Sequence, residues 1–373
     1  MKGGEVIRVS WELSCLVGPR TGVGEFAWAM THALGSLVEV SGFMVALRTQ
    51  PLLRAALPPG VRHRPVPLPS APLARLGSAH LVDLSWAFRG IDLVHGANFV
   101  LPPTRRLPRV LTVHDLSPLS YPRFVRPEVL GFLPQVAREL RGGAVVHTPS
   151  RFVRDEVLAL LGGEEHQVVA IPHGVTVPQQ VDTPPAAVAD LAGRPFLLAL
   201  STLEPRKGVA YLLEALRGLR PRFPELVLVM AGQPGWQMHR WQALLADPLV
   251  VDRLRVLGYV DAPTKAWLLR HATIFVYPSL YEGFGLPVLE ALAVGTPVVA
   301  TTAGAIPEVA GSAACLVPPR SSEALLEALD ALLGDEAARA ALAAAGPPHA
   351  ASFTWPASAA RMVELYRRVL AQC

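Results

Sequence analysis

The sequence predicts an α/β protein made of two doubly wound parallel sheets, each in its own domain. Short apolar runs of four to six residues recur along the chain. They are apolar throughout rather than alternating, the pattern of strands buried on both faces. Amphipathic helical stretches follow most of them, the order of parallel βαβ units. A length of 373 residues, at ~150 per domain, favours two domains.

In the first half the expected strands are Val6–Ser10, Met44–Leu47, Leu93–His95, Arg109–Val113 and Ala144–Thr148. In the second they are Phe196–Leu200, Leu226–Ala231, Leu254–Leu257, Ile274–Tyr277, Pro297–Ala300 and Ala314–Val317. Helical periodicity stands out at Gly24–Leu34, Val209–Leu219, Pro287–Val294 and Ser322–Leu333. The stretch Thr176–Arg194, rich in Pro and small residues, marks the boundary and gives domains 1–177 and 178–355. The last segment, 356–373, reads as a helix with Met362, Val363, Leu365, Tyr366, Val369 and Leu370 on one broad face.

Composition excludes several classes. With 51% hydrophobic and 17% charged residues, the chain is neither disordered nor a small disulfide scaffold. No uncharged apolar run reaches the ~18 residues of a spanning helix, and the start lacks a secretory apolar core. Cys15, Cys315 and Cys373 are scattered and form no framework, so a cytoplasmic location is expected. Residues 1–177 carry 18 basic against 13 acidic residues, and 178–373 carry 16 against 17. The basic first half suits a phosphorylated acceptor or peripheral contact with an anionic membrane face. Dense basic runs with interleaved aromatics are missing, so nucleic acid is not an expected partner. Only Lys2, Lys207 and Lys265 among 34 basic residues are lysines.

Four segments can carry chemistry. Tyr281-Glu282-Gly283-Phe284-Gly285-Leu286-Pro287-Val288-Leu289-Glu290 follows a strand and opens a helix. Pro287 fits the first turn, and the glycines let the backbone approach a ligand with its N–H groups exposed. The helix start adds partial positive charge. Glu282 in the loop and Glu290, expected in the first turn, can accept hydrogen bonds from vicinal hydroxyls. Ser201–Gly208 sets Arg206 and Lys207 at another helix start, where the dipole opposes them and a bound diphosphate would explain them. Thr112–Pro118 places His114 at the end of a buried strand, where ligands bind in open parallel sheets. Asp115 or a backbone group would fix its tautomer. Thr21–Ala27 matches G-x-G-x-x-A through Gly22 and Gly24. It lies about a dozen residues past the strand, too far for a dinucleotide fingerprint, and reads as a flexible loop entering a helix. Each segment also has an ordinary reading as a helix cap or solvated turn. P-loop, H-E-x-x-H, Asp-x-Asp and G-x-S-x-G motifs are absent from the sequence, so neither a metal site nor a covalent nucleophile is expected.

Together these segments resemble the retaining glycosyltransferases of family 4, the group 1 glycosyltransferases, and within them the bacterial mannosyltransferase-like branch. The hallmark is Glu, seven residues, Glu, met by Glu282 and Glu290. Residues 202–208 (TLEPRKG), 112–118 (TVHDLSP), 21–26 (TGVGEF), 171–175 (IPHGV), 294–300 (VGTPVVA) and 303–311 (AGAIPEVAG) also match in order and spacing. The resemblance spans nearly the whole chain. It implies the GT-B fold, two Rossmann-like domains facing across a cleft, with the terminal helix crossing back to the first.

The resemblance also implies roles. Glu290 would hold the ribose, and Glu282 would lie beside the transferred sugar. The amides of Gly283, Phe284, Gly285 and Leu286 would contact sugar and diphosphate, which Lys207 and Arg206 would neutralise. His114 would approach the sugar, and Gly22 and Gly24 the phosphate. Gly232, Gly258, Tyr259 and Val260 would line the base pocket. Many relatives carry an arginine where this chain has Thr202, so either Arg206 takes over that charge or the phosphate grip is weaker. The implied activity is hexosyl transfer from a nucleotide-diphosphate sugar, GDP-mannose ahead of a UDP-sugar, to a glycan, lipid-linked or small-molecule acceptor. It would need no metal or cofactor and would proceed by same-face attack. Pro65–Pro72 and Tyr121–Arg141, with Arg123, Phe124 and Arg126, would serve the acceptor side. The alternatives are a catalytically idle nucleotide-sugar-binding protein, a phosphorylase or epimerase of the same fold, and a dehydrogenase, which the glycine spacing disfavours.

Overall fold

The computed structural model describes residues 6–69, 82–104, 106–124, 130–233, 235 and 241–372. The chain divides into two compact units, Met1–Gly174 with Thr354–Cys373, and Val175–Phe353. The division falls slightly ahead of the proline-rich boundary.

The first unit holds a seven-stranded parallel sheet of β1 (Arg8–Glu12), β2 (Glu39–Phe43), β3 (Arg62–His63), β4 (Leu93–Gly96), β5 (Arg109–Thr112), β6 (Val145–Thr148) and β7 (Val168–Ala170). Their order is β3-β2-β1-β4-β5-β6-β7. The direction of winding reverses between β1 and β4, so a crevice is expected at their carboxyl ends. Strand β1 starts two residues later than its apolar run suggests. The expected strand at Met44–Leu47 is only a bridge, Val45 to Val66. The strand is Glu39–Phe43, whose exposed Glu39 and Ser41-Gly42 dilute the apolar signal. β3 and β7, two and three residues long, are too short to leave one.

The second unit holds a six-stranded parallel sheet of β8 (Phe196–Leu200), β9 (Val227–Ala231), β10 (Leu254–Gly258), β11 (Ile274–Tyr277), β12 (Val298–Thr301) and β13 (Cys315–Val317). Its order is β10-β9-β8-β11-β12-β13, with the reversal between β8 and β11. Leu197, Leu212, Leu216, Leu228, Val276, Val299, Leu325 and Leu329 belong to one core. Here the apolar runs locate every strand to within a residue: β8, β9, β11 and β12 are buried throughout, and the edge strands β10 and β13 stay mostly apolar in sequence although partly exposed.

The terminal helix, Trp355–Ala371, belongs to the first unit and packs on the helix Gly22–Leu34. Thr354 caps it, and Trp355, Met362, Leu365 and Tyr366 are buried. The Tyr366 hydroxyl meets His95 Nδ1 at 2.7 Å, the end of a buried chain whose proton positions follow from its far end. His147 Nε2 lies 3.0 Å from the Ile171 carbonyl and must donate. Its Nδ1 therefore accepts from the Thr112 hydroxyl at 3.0 Å. The Thr112 oxygen in turn accepts from His95 Nε2 at 2.8 Å, which leaves His95 Nδ1 to accept from Tyr366. Tyr366→Phe strands that nitrogen away from water, so urea unfolding should show a loss of about 1–3 kcal/mol.

Candidate active site

In the second unit the loops after β8 and β11 flank the winding reversal, the position at which open α/β sheets bind ligands. The β8 loop closes in a short turn, Pro205–Lys207. At Gly208 (φ +68°) a Cβ would lie 1.9 Å from the Pro278 carbonyl oxygen, so only glycine lets this loop approach the β11 loop. The Leu280 amide completes the junction by donating to the Arg206 carbonyl at 2.7 Å. Behind the β11 loop stands Gly304 (φ +60°), where a Cβ would meet the Glu282 carbonyl oxygen at 2.2 Å. The Ala305 amide donates to that oxygen at 2.9 Å. Glu282 is thus held by its backbone from both sides.

Its side chain is buried and lies 2.6 Å from Lys207 Nζ. The Arg206 guanidinium is 3.6 Å from the other carboxylate oxygen. Burial pushes the Glu282 carboxyl up, but Lys207 and Arg206 outweigh it, and the net direction is down. Glu282 is therefore an anion, braced as a hydrogen-bond acceptor. Arg206 also donates to Glu204 at 2.6 Å and to the Tyr281 carbonyl at 2.8 Å, so its fork fastens the two loops together. The Lys207 ammonium sits 3.4 Å from the Tyr277 hydroxyl and 5.5 Å from that ring's centre.

Glu290 lies on the helix Leu286–Ala293, at the fifth helical position rather than in the expected first turn. Gly285 caps the helix, so the turn begins at Leu286 and its first four positions carry no acid. The Glu290 carboxylate is buried and meets Lys265 Nζ at 2.7 Å. Lys265 stands on the helix Ala262–His271, capped by Asp261. Gly283 and Phe284 lie in the loop that joins the two glutamates. Gly232 and Gly258 come together, the Gly232 amide donating to the Gly258 carbonyl at 2.7 Å, with Tyr259 exposed and Val260 half-buried beside them.

The other predicted residues belong to the first unit. His114 follows β5, and its Nε2 donates to the Ala97 carbonyl at 2.8 Å. A backbone group, not Asp115, thus fixes its tautomer and leaves Nδ1 as the acceptor. Asp115 instead accepts from the Ser117 amide and hydroxyl at 2.9 and 2.7 Å, the ordinary capping reading. Burial is the main reason the His114 pKa falls to about 4. Gly22 and Gly24 lie inside the helix Gly22–Leu34 rather than in a loop before it, because Thr21 already takes the capping position. On the acceptor side, Arg126 and residues 70–72 fall outside the described residues, as does the Phe124 side chain.

Sequence reading missed three groups. Lys265 was conspicuous only as a rare lysine. Ser279, buried three residues before Glu282, carried no motif. Glu12 ends β1 beside the first sheet's winding reversal. Its side chain accepts from Ser14, and burial raises its pKa to about 7. Only its place at a strand end could have marked it.

Buried, ion-paired glutamates beside the switch point of a doubly wound unit suit enzymes that handle phosphorylated or sugar-bearing ligands. The comparisons narrow that class. The description "Glycosyl transferases group 1" matches residues 186–348, and "Glycosyltransferase Family 4" matches residues 20–178. The chain is 30% identical to O-antigen chain mannosyltransferase B of Escherichia coli over 76% of each chain. It is 35% identical to the phosphatidyl-myo-inositol mannosyltransferase of Mycobacterium leprae (strain TN) over 54% of each. The solved structure of Anabaena Alr3699/HepE in complex with UDP and glucose matches with a TM-score of 0.76 at 18% identity, covering 98% of this chain and all of that one. The chain belongs to the group 1, family 4 glycosyltransferases. It is a glycosyltransferase with two Rossmann-like domains of the GT-B kind. Among the described residues no helix is long and apolar enough to cross a membrane.

Proposed function

We propose that the enzyme transfers mannose from GDP-mannose to a hydroxyl of a glycan, lipid-linked or small-molecule acceptor, keeping the sugar's α configuration. The observation that carries this reading is the use of lysine. Arginine supplies almost all the positive charge, yet two of the three lysines meet the two buried glutamates at 2.6 and 2.7 Å. A lysine is a compact point charge, whereas a guanidinium prefers a planar partner. In this reading such pairs present carboxylates to hydroxyls and an ammonium to a phosphate. Two of the similar proteins are mannosyltransferases, which supports mannose, and HepE is solved in complex with UDP and glucose, which supports a nucleotide-sugar donor.

In this proposal Glu290, held by Lys265, accepts from the ribose hydroxyls, and Glu282 from the sugar. Cleavage of the sugar–phosphate bond leaves negative charge on the diphosphate. Lys207 and the amides after Glu282 stabilise that charge, and Arg206 keeps the two loops in register. These cations do the neutralising work that would otherwise fall to a metal ion. In this reading Glu282, tied to Lys207, acts as a hydrogen-bond acceptor and not as a nucleophile. The acceptor hydroxyl attacks from the leaving group's own face, and the departing phosphate takes its proton. Acceptor handling falls to the first unit, with His114 as a neutral hydrogen-bonding group.

Donor turnover with water as surrogate acceptor tests this. In chelator, GDP-mannose should be consumed ahead of UDP-glucose and ADP-glucose, with α-mannose as the first anomer seen by proton NMR. First appearance of the β anomer, or consumption of none of the three, contradicts it.

A further inference from the structure

A cavity of about 310 Å³ opens at the amino-terminal edge of the first sheet, the edge opposite the strand ends near His114 and Glu12. That volume lies at the low end of the small-ligand range, ~300–1,000 Å³. Its walls include Arg8 at the start of β1, Glu39 at the start of β2, Arg62 and His63 of β3, Arg64, and Gly90 ahead of β4. Three arginines and one glutamate are thus among its lining residues.

The three differ in their partners. Arg8 forms a bidentate pair with Asp92, at 2.8 and 3.2 Å, and Arg62 pairs with Glu39. Arg64 has no acidic partner among the described residues. One of its terminal nitrogens donates to the Ala87 carbonyl at 2.9 Å, and its buried Nε has no hydrogen-bond partner among them. Burial, with Arg62 beside it, pulls the guanidinium below its usual range. No carboxylate among the described residues balances the Arg64 charge, and an anion in the cavity would do so. The carbonyl that Arg64 holds belongs to the turn Ser85–Phe88, whose Trp86 is 60% exposed. An exposed tryptophan beside an arginine site is the pairing found where a protein meets a lipid interface.

We propose that this cavity binds a phosphate ester, with Arg64 as its principal ligand and Arg62 adding charge, separately from the sugar-transfer chemistry. The planar fork of arginine matches phosphate oxygens two at a time. The phosphate could belong to a lipid headgroup or to a soluble molecule, and the cavity reads the same group in both.

The test uses the full chain carrying Lys207→Ala, which removes the lysine of the other phosphate-binding candidate. Calorimetric titration with inorganic phosphate should show binding. Arg64→Gln should weaken it at least ~10-fold and Arg62→Gln several-fold, in line with the loss of a charge-assisted hydrogen bond. Arg62 is largely exposed, so its variant reports even if Arg64→Gln unfolds. In the parent chain, donor turnover should be unchanged by Arg64→Gln. Sedimentation with phosphatidylcholine vesicles containing roughly one-third phosphatidylglycerol then separates the sources. Binding that Arg64→Gln and Trp86→Ala both abolish assigns the site to a headgroup. Phosphate binding without vesicle binding assigns it to a soluble phosphate. Absence of phosphate binding, or binding indifferent to both arginine substitutions, overturns the proposal.

Discussion

Replacing Lys207 with methionine should lower donor turnover by ~10²–10³, the usual cost of one contact to a developing anion. The loss should fall on kcat more than on KM, because the charge on the leaving diphosphate grows as the sugar departs. Lys207 also neutralises Glu282 at 2.6 Å. Removing one member of a buried pair leaves an uncompensated charge, a penalty of about 3–5 kcal/mol when nothing else is near. Arg206 at 3.6 Å from the same carboxylate should absorb part of it. A melting curve for the variant separates the two effects. A folded Lys207→Met protein with near-normal kcat would remove the ammonium from the chemistry.

Acid should unfold the first unit well before it protonates the carboxylates at the protein surface. His95, His114, His147 and His173 are all held neutral, chiefly by burial. The His114 pKa falls to about 4 and that of His147 to about 3, against ~6.5 in an unfolded chain. The folded state thus binds protons less readily than the unfolded one. The contribution is whole above ~pH 6.5 and is lost as pH falls toward the folded values. At pH 5 His114 and His147 cost about 2 kcal/mol each, against a typical domain total of ~5–15, and His95 and His173 act in the same direction. Glu12 works in the opposite sense. Its pKa is raised to about 7, so acidification from neutral pH favours its folded form and offsets about one histidine's loss. Calorimetry from pH 7.5 to 5 should therefore show a large fall in the melting temperature of the first unit, and His147→Gln should flatten it. Equal melting temperatures at both pH values would mean that the histidines are not held neutral.

The second sheet was legible strand by strand, and the first only in its central strands Leu93–Gly96, Arg109–Thr112 and Val145–Thr148. Strands such as Phe196–Leu200 and Ile274–Tyr277 are buried on both faces, so hydrophobicity alone locates them. Glu39–Phe43 lies near a sheet edge with Glu, Ser and Gly in it, and the adjacent apolar run Met44–Leu47 was the stronger signal. Motif spacing placed Glu282, Glu290, Arg206 and Lys207 on the loops and helix beside one switch point. It could not foretell that each glutamate has its own lysine, because Lys207 lies 75 residues from Glu282 and Lys265 is on another helix. Nor could it foretell that Arg206 spends its fork on Glu204 and Tyr281. The buried histidine chain was invisible for the same reason. Its members come from β4, β5, β6 and the terminal helix, and only the sheet order makes them neighbours.

The central claim is that the two lysine-held glutamates form a nucleotide-sugar site. Its most direct test is calorimetric titration of GDP, UDP and ADP, in chelator, into the parent chain and into Glu290→Gln. The account predicts that GDP binds best and that Glu290→Gln weakens it ~10-fold or more, the worth of a charged hydrogen bond to the ribose. Equal affinity in the two proteins, or no nucleotide binding by the parent, would contradict it.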